Sequence, residues 1–71
     1  MPNSVYKIIE LVGSSPDSWE KAASNAVNMA AKTLRDLRIA EVVELDMQLD
    51  NNKVANYRAK VKLSFKVQQV D

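Results

Sequence analysis

From Val54 to Val67 the chain alternates without a break. Ala55, Tyr57, Ala59, Val61, Leu63, Phe65 and Val67 fall on one side, and Asn56, Arg58, Lys60, Lys62, Ser64 and Lys66 on the other. A period of two sustained over fourteen residues predicts a β-strand with one apolar and one basic face. At roughly 3.4 Å per residue it spans on the order of 45 Å, where an ordinary strand has about five or six residues. One small domain cannot cover so long an element. Either its far end projects into other copies of the chain or a bulge bends it, and projection is the expectation.

That expectation gains weight from chain length. Seventy-one residues make one domain, 1–71. A domain of this size buries only about 60% of the surface its unfolded chain exposes. Disulfides, a metal or oligomerisation usually make up the deficit in small domains. With no Cys and no His, disulfides are excluded and the usual zinc ligands are missing, which leaves self-association. The same absence gives an enzyme little to work with, since no nucleophile–base pairing is readable. Lack of Cys fits a reducing cytoplasm, and no apolar run approaches the roughly 20 residues of a membrane span. Met1–Pro2–Asn3–Ser4 lacks the regions of a signal peptide, so the location expected is cytoplasmic, with no membrane partner.

Ten basic and nine acidic residues balance to +1, which gives no general argument for nucleic acid. Arg58, Lys60, Lys62 and Lys66 nevertheless share one face of the long strand. Such a face could bind phosphate, but a solvated face paired with an acidic neighbour is the simpler reading.

The acidic neighbour is found in Ile39–Asp50. There Val43, Leu45, Met47 and Leu49 alternate with Glu44, Asp46, Gln48 and Asp50. Asp50–Asn51–Asn52–Lys53 then marks a turn, because Asn and Asp tolerate positive φ. A three-residue loop Asn51–Asn52–Lys53 pairs Asp50 with Val54. It sets Met47 opposite Tyr57, Asp46 opposite Arg58 and Glu44 opposite Lys60. A bulge in the hairpin would shift this register by one.

Upstream, Val5–Val12 is rich in β-branched residues and is expected to stop at Gly13, the only glycine. Ser15 then serves as a helix N-cap with Pro16 at the first helical position, and Asp17 and Glu20 suit the positive end of the helix dipole. Trp19, Ala22, Ala23, Ala26, Val27, Ala30, Thr33, Leu34 and Leu37 recur at helical spacing, so the helix is expected to reach about Leu37. Its stripe is mostly alanine, which permits close packing. Trp19 lies on that stripe and is expected to make core or subunit contacts. The order β-α-β-β, with a right-handed crossover between parallel first and second strands, puts the last strand in the middle. The expected fold is α+β: a three-stranded sheet of order 1-3-2 packed on one helix.

Several stretches now carry a resemblance. They are Val5–Tyr6–Lys7, Ile9–Glu10, Val12–Gly13–Ser14–Ser15, the alanine-striped helix ending Thr33–Leu34–Arg35, Glu41–Val42, and Tyr57 to Phe65. Over essentially its full length the chain resembles the dodecins. The resemblance implies β-α-β-β subunits, twelve of which assemble into a hollow sphere of cubic symmetry. It also implies flavin storage, with flavin pairs stacked between tryptophans of symmetry-related chains.

At the position of that tryptophan this chain has Ile39, and at the position of the glutamine that hydrogen-bonds the flavin it has Arg58. Glu44 retains an acidic residue of the family site, and Gln48 stands where a second carboxylate would be. With two main contacts replaced, flavin binding is expected to be poor. Ser15–Pro16–Asp17–Ser18–Trp19–Glu20, Arg38–Ile39–Ala40 and Glu44–Leu45–Asp46–Met47 look closer to the flavin-poor calcium dodecins. That branch implies a hard cation as ligand, with Glu44, Asp46 and Asp50 as candidate oxygen donors. The function implied is a non-enzymatic, homododecameric small-ligand store.

Overall fold

The computed structural model describes residues 3–70, so Met1, Pro2 and Asp71 of the expected domain lie outside the described residues. Four elements follow in order: β1 (Asn3–Ser15), α1 (Trp19–Ala31), β2 (Leu37–Asp50) and β3 (Lys53–Val70). The sheet order is β1-β3-β2, and both neighbours run antiparallel to β3, as the sequence pattern predicts.

The long central strand is longer still, at 18 residues, and the chain extends 55 Å along its main axis. Bulges and length both operate. The register shifts at one place against β1 and at three against β2, while the end of β3 beyond Phe65 pairs with β1 alone.

The first strand does not stop at Gly13. Gly13 sits inside β1 with no positive φ, and its task is spatial. A Cβ there would collide with the carbonyl oxygen of Ala22 and press on Ala26 Cβ. Its absence lets the helix lie directly on the strand, and Asn25 Nδ2 fastens the pair by donating to the Ser14 carbonyl at 3.0 Å. Against this close seat Ala22, Ala26 and Ala30 are buried on Ala59, Val61 and Leu63 of β3.

Both helix ends differ from expectation. Ser15 belongs to β1, is buried, and accepts a hydrogen bond from the Asp17 amide, so it shapes the turn and does not cap the helix. The cap is Ser18, whose backbone is extended and whose Oγ accepts from Lys21 N at 3.0 Å. At the other end Leu34 N still bonds Ala30 O, but Asp36 takes φ 59° and turns the chain back. Leu34 and Leu37 continue the apolar spacing because they pack on the same core, Leu37 as the first residue of β2.

The hairpin also closes differently. Asn51 and Asn52 alone form the loop, at φ 53° and 61°, and Asp50 pairs with Lys53. A bulge between Gln48 and Leu49 then passes over Ala55, which restores Met47↔Tyr57, Asp46↔Arg58 and Glu44↔Lys60. A second shift, between Val42 and Glu44, reverses parity. Val42 now pairs with buried Val61 and Ala40 with buried Leu63, whereas Ile39 and Glu41 pair with Ser64 and Lys62 and face away from the helix.

Candidate functional site

The face of the sheet away from α1 carries the candidate ligand residues. Register lays them out in rows across β1, β3 and β2: Ser14–Arg58–Asp46, Val12–Lys60–Glu44, Glu10–Lys62–Glu41 and Ile8–Ser64–Ile39. The basic residues of β3 are thus flanked by acids, mostly from β2.

Arg58 and Asp46 make the tightest contact. Nε donates to Oδ1 at 2.7 Å and Nη2 to Oδ2 at 2.8 Å. The Arg58 hydrogen bonds hold the Asp46 carboxyl below the usual carboxylate range, outweighing a smaller upward push from desolvation, and the same contact raises Arg58. In the next row Lys60 Nζ lies 3.7 Å from Glu44 Oε1 and 4.0 Å from Glu10 Oε1. Glu10 escapes a reading confined to the hairpin, because it reaches Lys60 from the other side. Gln48 Oε1 accepts from Asn56 Nδ2 at 3.2 Å. Asp50 stands at the turn beside Lys53.

Ile39 lies elsewhere on this face. With Ile8, Glu41, Lys62 and Ser64 it lines a cavity of about 200 Å³, and its side chain is mostly exposed. Six residues of β3 separate Ser64 from Arg58, which at about 3.3 Å per residue puts Ile39 roughly 20 Å from the Arg58 row. One protomer therefore brings Glu44, Asp46, Gln48 and Arg58 into one ladder and leaves Ile39 apart. Ile8, Glu41, Lys62 and Ser64 were not legible as its neighbours, since the parity reversal at Val43 decides them.

The acidic candidates do not converge. Among the described residues no group of three His, Cys, Asp or Glu side chains is placed to hold a metal ion. Glu44, Asp46 and Asp50 are strung along one strand. Both oxygens of Asp46 are already engaged by Arg58. Calcium asks for six to eight oxygens, so the donors of a single chain do not fit it.

On the opposite face, Trp19 is half-buried and held from two sides. Its Nε1–H donates to the Asp46 carbonyl at 2.9 Å, and its ring meets Tyr57 edge to face at 5.0 Å. It stands at the Asp46 end of the sheet, far from Ile39. No helix among the described residues is long and apolar enough to cross a membrane.

Comparison with known proteins returns one answer. Residues 5–68 match the family model Dodecin. The chain is 47% identical to a calcium dodecin of Mycobacterium tuberculosis over 64 residues, 90% of each chain. A solved dodecin from Streptomyces coelicolor superposes with a TM-score of 0.90 at 37% identity, covering 99% of this chain and 100% of that one. The crystal structure of the M. tuberculosis calcium dodecin, a calcium-chelating antigen described as having a novel calcium-binding site, gives 0.83 at 46% identity. It covers 92% of this chain and 93% of that one.

Proposed function

This chain belongs to the dodecin family, and from that premise we propose that it is a non-catalytic small-ligand binding and storage protein. It works as a closed assembly of twelve copies in the cytoplasm. The observation that carries the assembly is the amount of apolar side chain one protomer leaves uncovered, with Ile8, Ile39 and Leu49 all above 60% exposed. Soluble monomers rarely leave such surface in contiguous patches. The store does not hold flavin in the stacked manner of its relatives, because Ile39 offers no π-face and Arg58 is committed to Asp46.

A second reading of the ligand is calcium, supported by 47% identity to a calcium dodecin. Glu44, Asp46 and Asp50 would supply oxygens, and copies around them the remainder. Calcium bound there would add charge neutralisation to a face already balanced by lysine and arginine, so it must displace Arg58 or Lys60.

Light scattering behind size exclusion tests the assembly, with a mass of twelve chains of 8.0 kDa expected. Thermal shift of that species with calcium, magnesium or riboflavin tests the ligand, since a ligand bound only by the native state raises the midpoint. A rise with calcium alone supports the second reading. A single-chain mass overturns the storage reading.

A further inference from the structure

Charge pairing on the open face of the sheet stops partway along it. Arg58 is bonded to Asp46, and Lys60 lies against Glu44 and Glu10. The next row, Glu10–Lys62–Glu41, breaks the pattern. Glu10 reaches Lys60 instead, and among the described residues neither Lys62 nor Glu41 makes an ion pair, although register sets the two side by side. Beyond them Ser64, half-buried between Ile8 and Ile39, has a hydroxyl with no hydrogen-bond partner among the described residues.

These polar groups line one cavity of about 200 Å³, and Ile8 and Ile39, 62% and 66% exposed, are its apolar walls. All the lining residues belong to one chain, and none is aromatic. The volume is that of about six or seven water molecules, whereas pockets for drug-sized ligands start at about 300 Å³. The space suits a compact ligand.

The polar groups narrow its chemistry. Lys62 offers N–H donors and a positive charge, Ser64 a further donor, and Glu41 only acceptors and a negative charge. A ligand of one sign is attracted by one of the two charges and repelled by the other. A ligand carrying both signs on neighbouring atoms satisfies both, and its apolar remainder lies along the isoleucines. Any direct pairing of Lys62 with Glu41 in solution is an exposed one, which such a ligand opens at little cost.

We propose that this cavity binds a small zwitterion with an aliphatic side chain, the chemistry of a free branched-chain α-amino acid. The ligand carboxylate accepts from Lys62 Nζ and Ser64 Oγ, its ammonium donates to the Glu41 carboxylate, and its side chain lies between Ile8 and Ile39. The proposal rests on the small-ligand reading above and names the class of ligand. In so open a cavity the dissociation constant is on the order of a millimolar.

The test is ligand-observed NMR on the wild-type protein with L-leucine, isocaproate, isoamylamine and glycine as probes. They carry, in that order, both charges with the apolar body, the anion with the body, the cation with the body, and both charges without the body. Leucine is expected to bind, and each of the others at least roughly tenfold more weakly. Lys62→Gln and Glu41→Gln are each expected to weaken leucine roughly tenfold. Both positions are exposed, so circular dichroism should show an unchanged fold. Leucine bound no better than isocaproate or isoamylamine overturns the proposal, as do folded variants that bind it like the wild type. Should a variant not fold, the wild-type probe series alone decides. No leucine binding by a twelve-chain species whose midpoint rises with calcium or riboflavin overturns this inference and leaves the storage reading standing. A single-chain mass overturns the storage reading, whereas leucine binding by that single chain supports the site, all of whose residues it contains.

Discussion

Arg58 and Asp46 face each other across β3 and β2 with two parallel hydrogen bonds, at 2.7 and 2.8 Å, so that guanidinium and carboxylate meet edge to edge. That geometry makes the stronger form of ion pair. The sign of its pH dependence follows from the lowered Asp46 pKa. A carboxyl depressed on folding stabilises fully above its unfolded pKa of about 3.9, and the stabilisation fades as pH falls through the lower folded value. The unfolding midpoints of wild type and Asp46→Asn should therefore differ by a constant amount near neutrality and converge in acid. A gap unchanged down to about pH 2 would show that the pair does not carry the difference.

Riboflavin fluorescence should be left almost unquenched by the wild type at micromolar protein. Ile39→Trp with Arg58→Gln should quench it. A flat ring stacked on an aromatic contributes about 1–3 kcal/mol, and removing Arg58 also removes the cost of desolvating a guanidinium that the ligand cannot pair. Strong quenching by the wild type would mean that another group, such as Tyr57 or Trp19, supplies the platform.

Gly13→Ala should lower stability by about 1–3 kcal/mol, the usual cost of overpacking. Reduced freedom of the unfolded chain would return only about 0.4–1 kcal/mol. The obstacle is the Ala22 carbonyl, a backbone atom that no rotamer change can move, so α1 must lift from β1. Thermal or denaturant unfolding measures the loss. An unchanged midpoint would show that the helix seat is loose.

Lys60→Ala should cost less than about 1 kcal/mol, because its contacts with Glu10 and Glu44 are long, monodentate and partly solvated. A loss above roughly 2 kcal/mol in a denaturant titration would place this face against another subunit and remove the solvated-ladder reading.

What the sequence disclosed follows the reach of each interaction. Unbroken alternation in Val54–Val67 made the long strand readable, because one face had to be apolar throughout, and the right-handed crossover between parallel first and second strands made the 1-3-2 order readable. The Asp46–Arg58 and Glu44–Lys60 pairs were readable from charge and parity. Their register holds although the loop is one residue shorter than expected, because the bulge over Ala55 offsets the difference. Ser15 and Leu37 misled for physical reasons. A serine before proline can serve a turn as well as a cap, and an apolar residue at helical spacing can reach the same core from a strand. Val43 was opaque. Nothing in Glu41–Val42–Val43–Glu44 announces an extra residue, yet that residue sends Ile39 to the open face and determines its neighbours.

The position of β3 at the middle of the sheet and at the end of the chain sets a timetable for folding. Leu11 must wait for Val61, and Ile9 for Leu63, so the β1 ladder closes a loop that takes in most of the molecule. The β2–β3 hairpin, joined by two asparagines, has no such delay. On a ribosome the alanine face of α1 emerges well before Ala59, Val61 and Leu63, the residues on which it comes to rest. A stripe of alanines is an economical thing to leave waiting, since it exposes little apolar area per turn while its residues favour the helix intrinsically. Replacing those alanines with leucine would crowd the finished core, and before that it would leave a nascent chain carrying an adhesive helix with nowhere to put it.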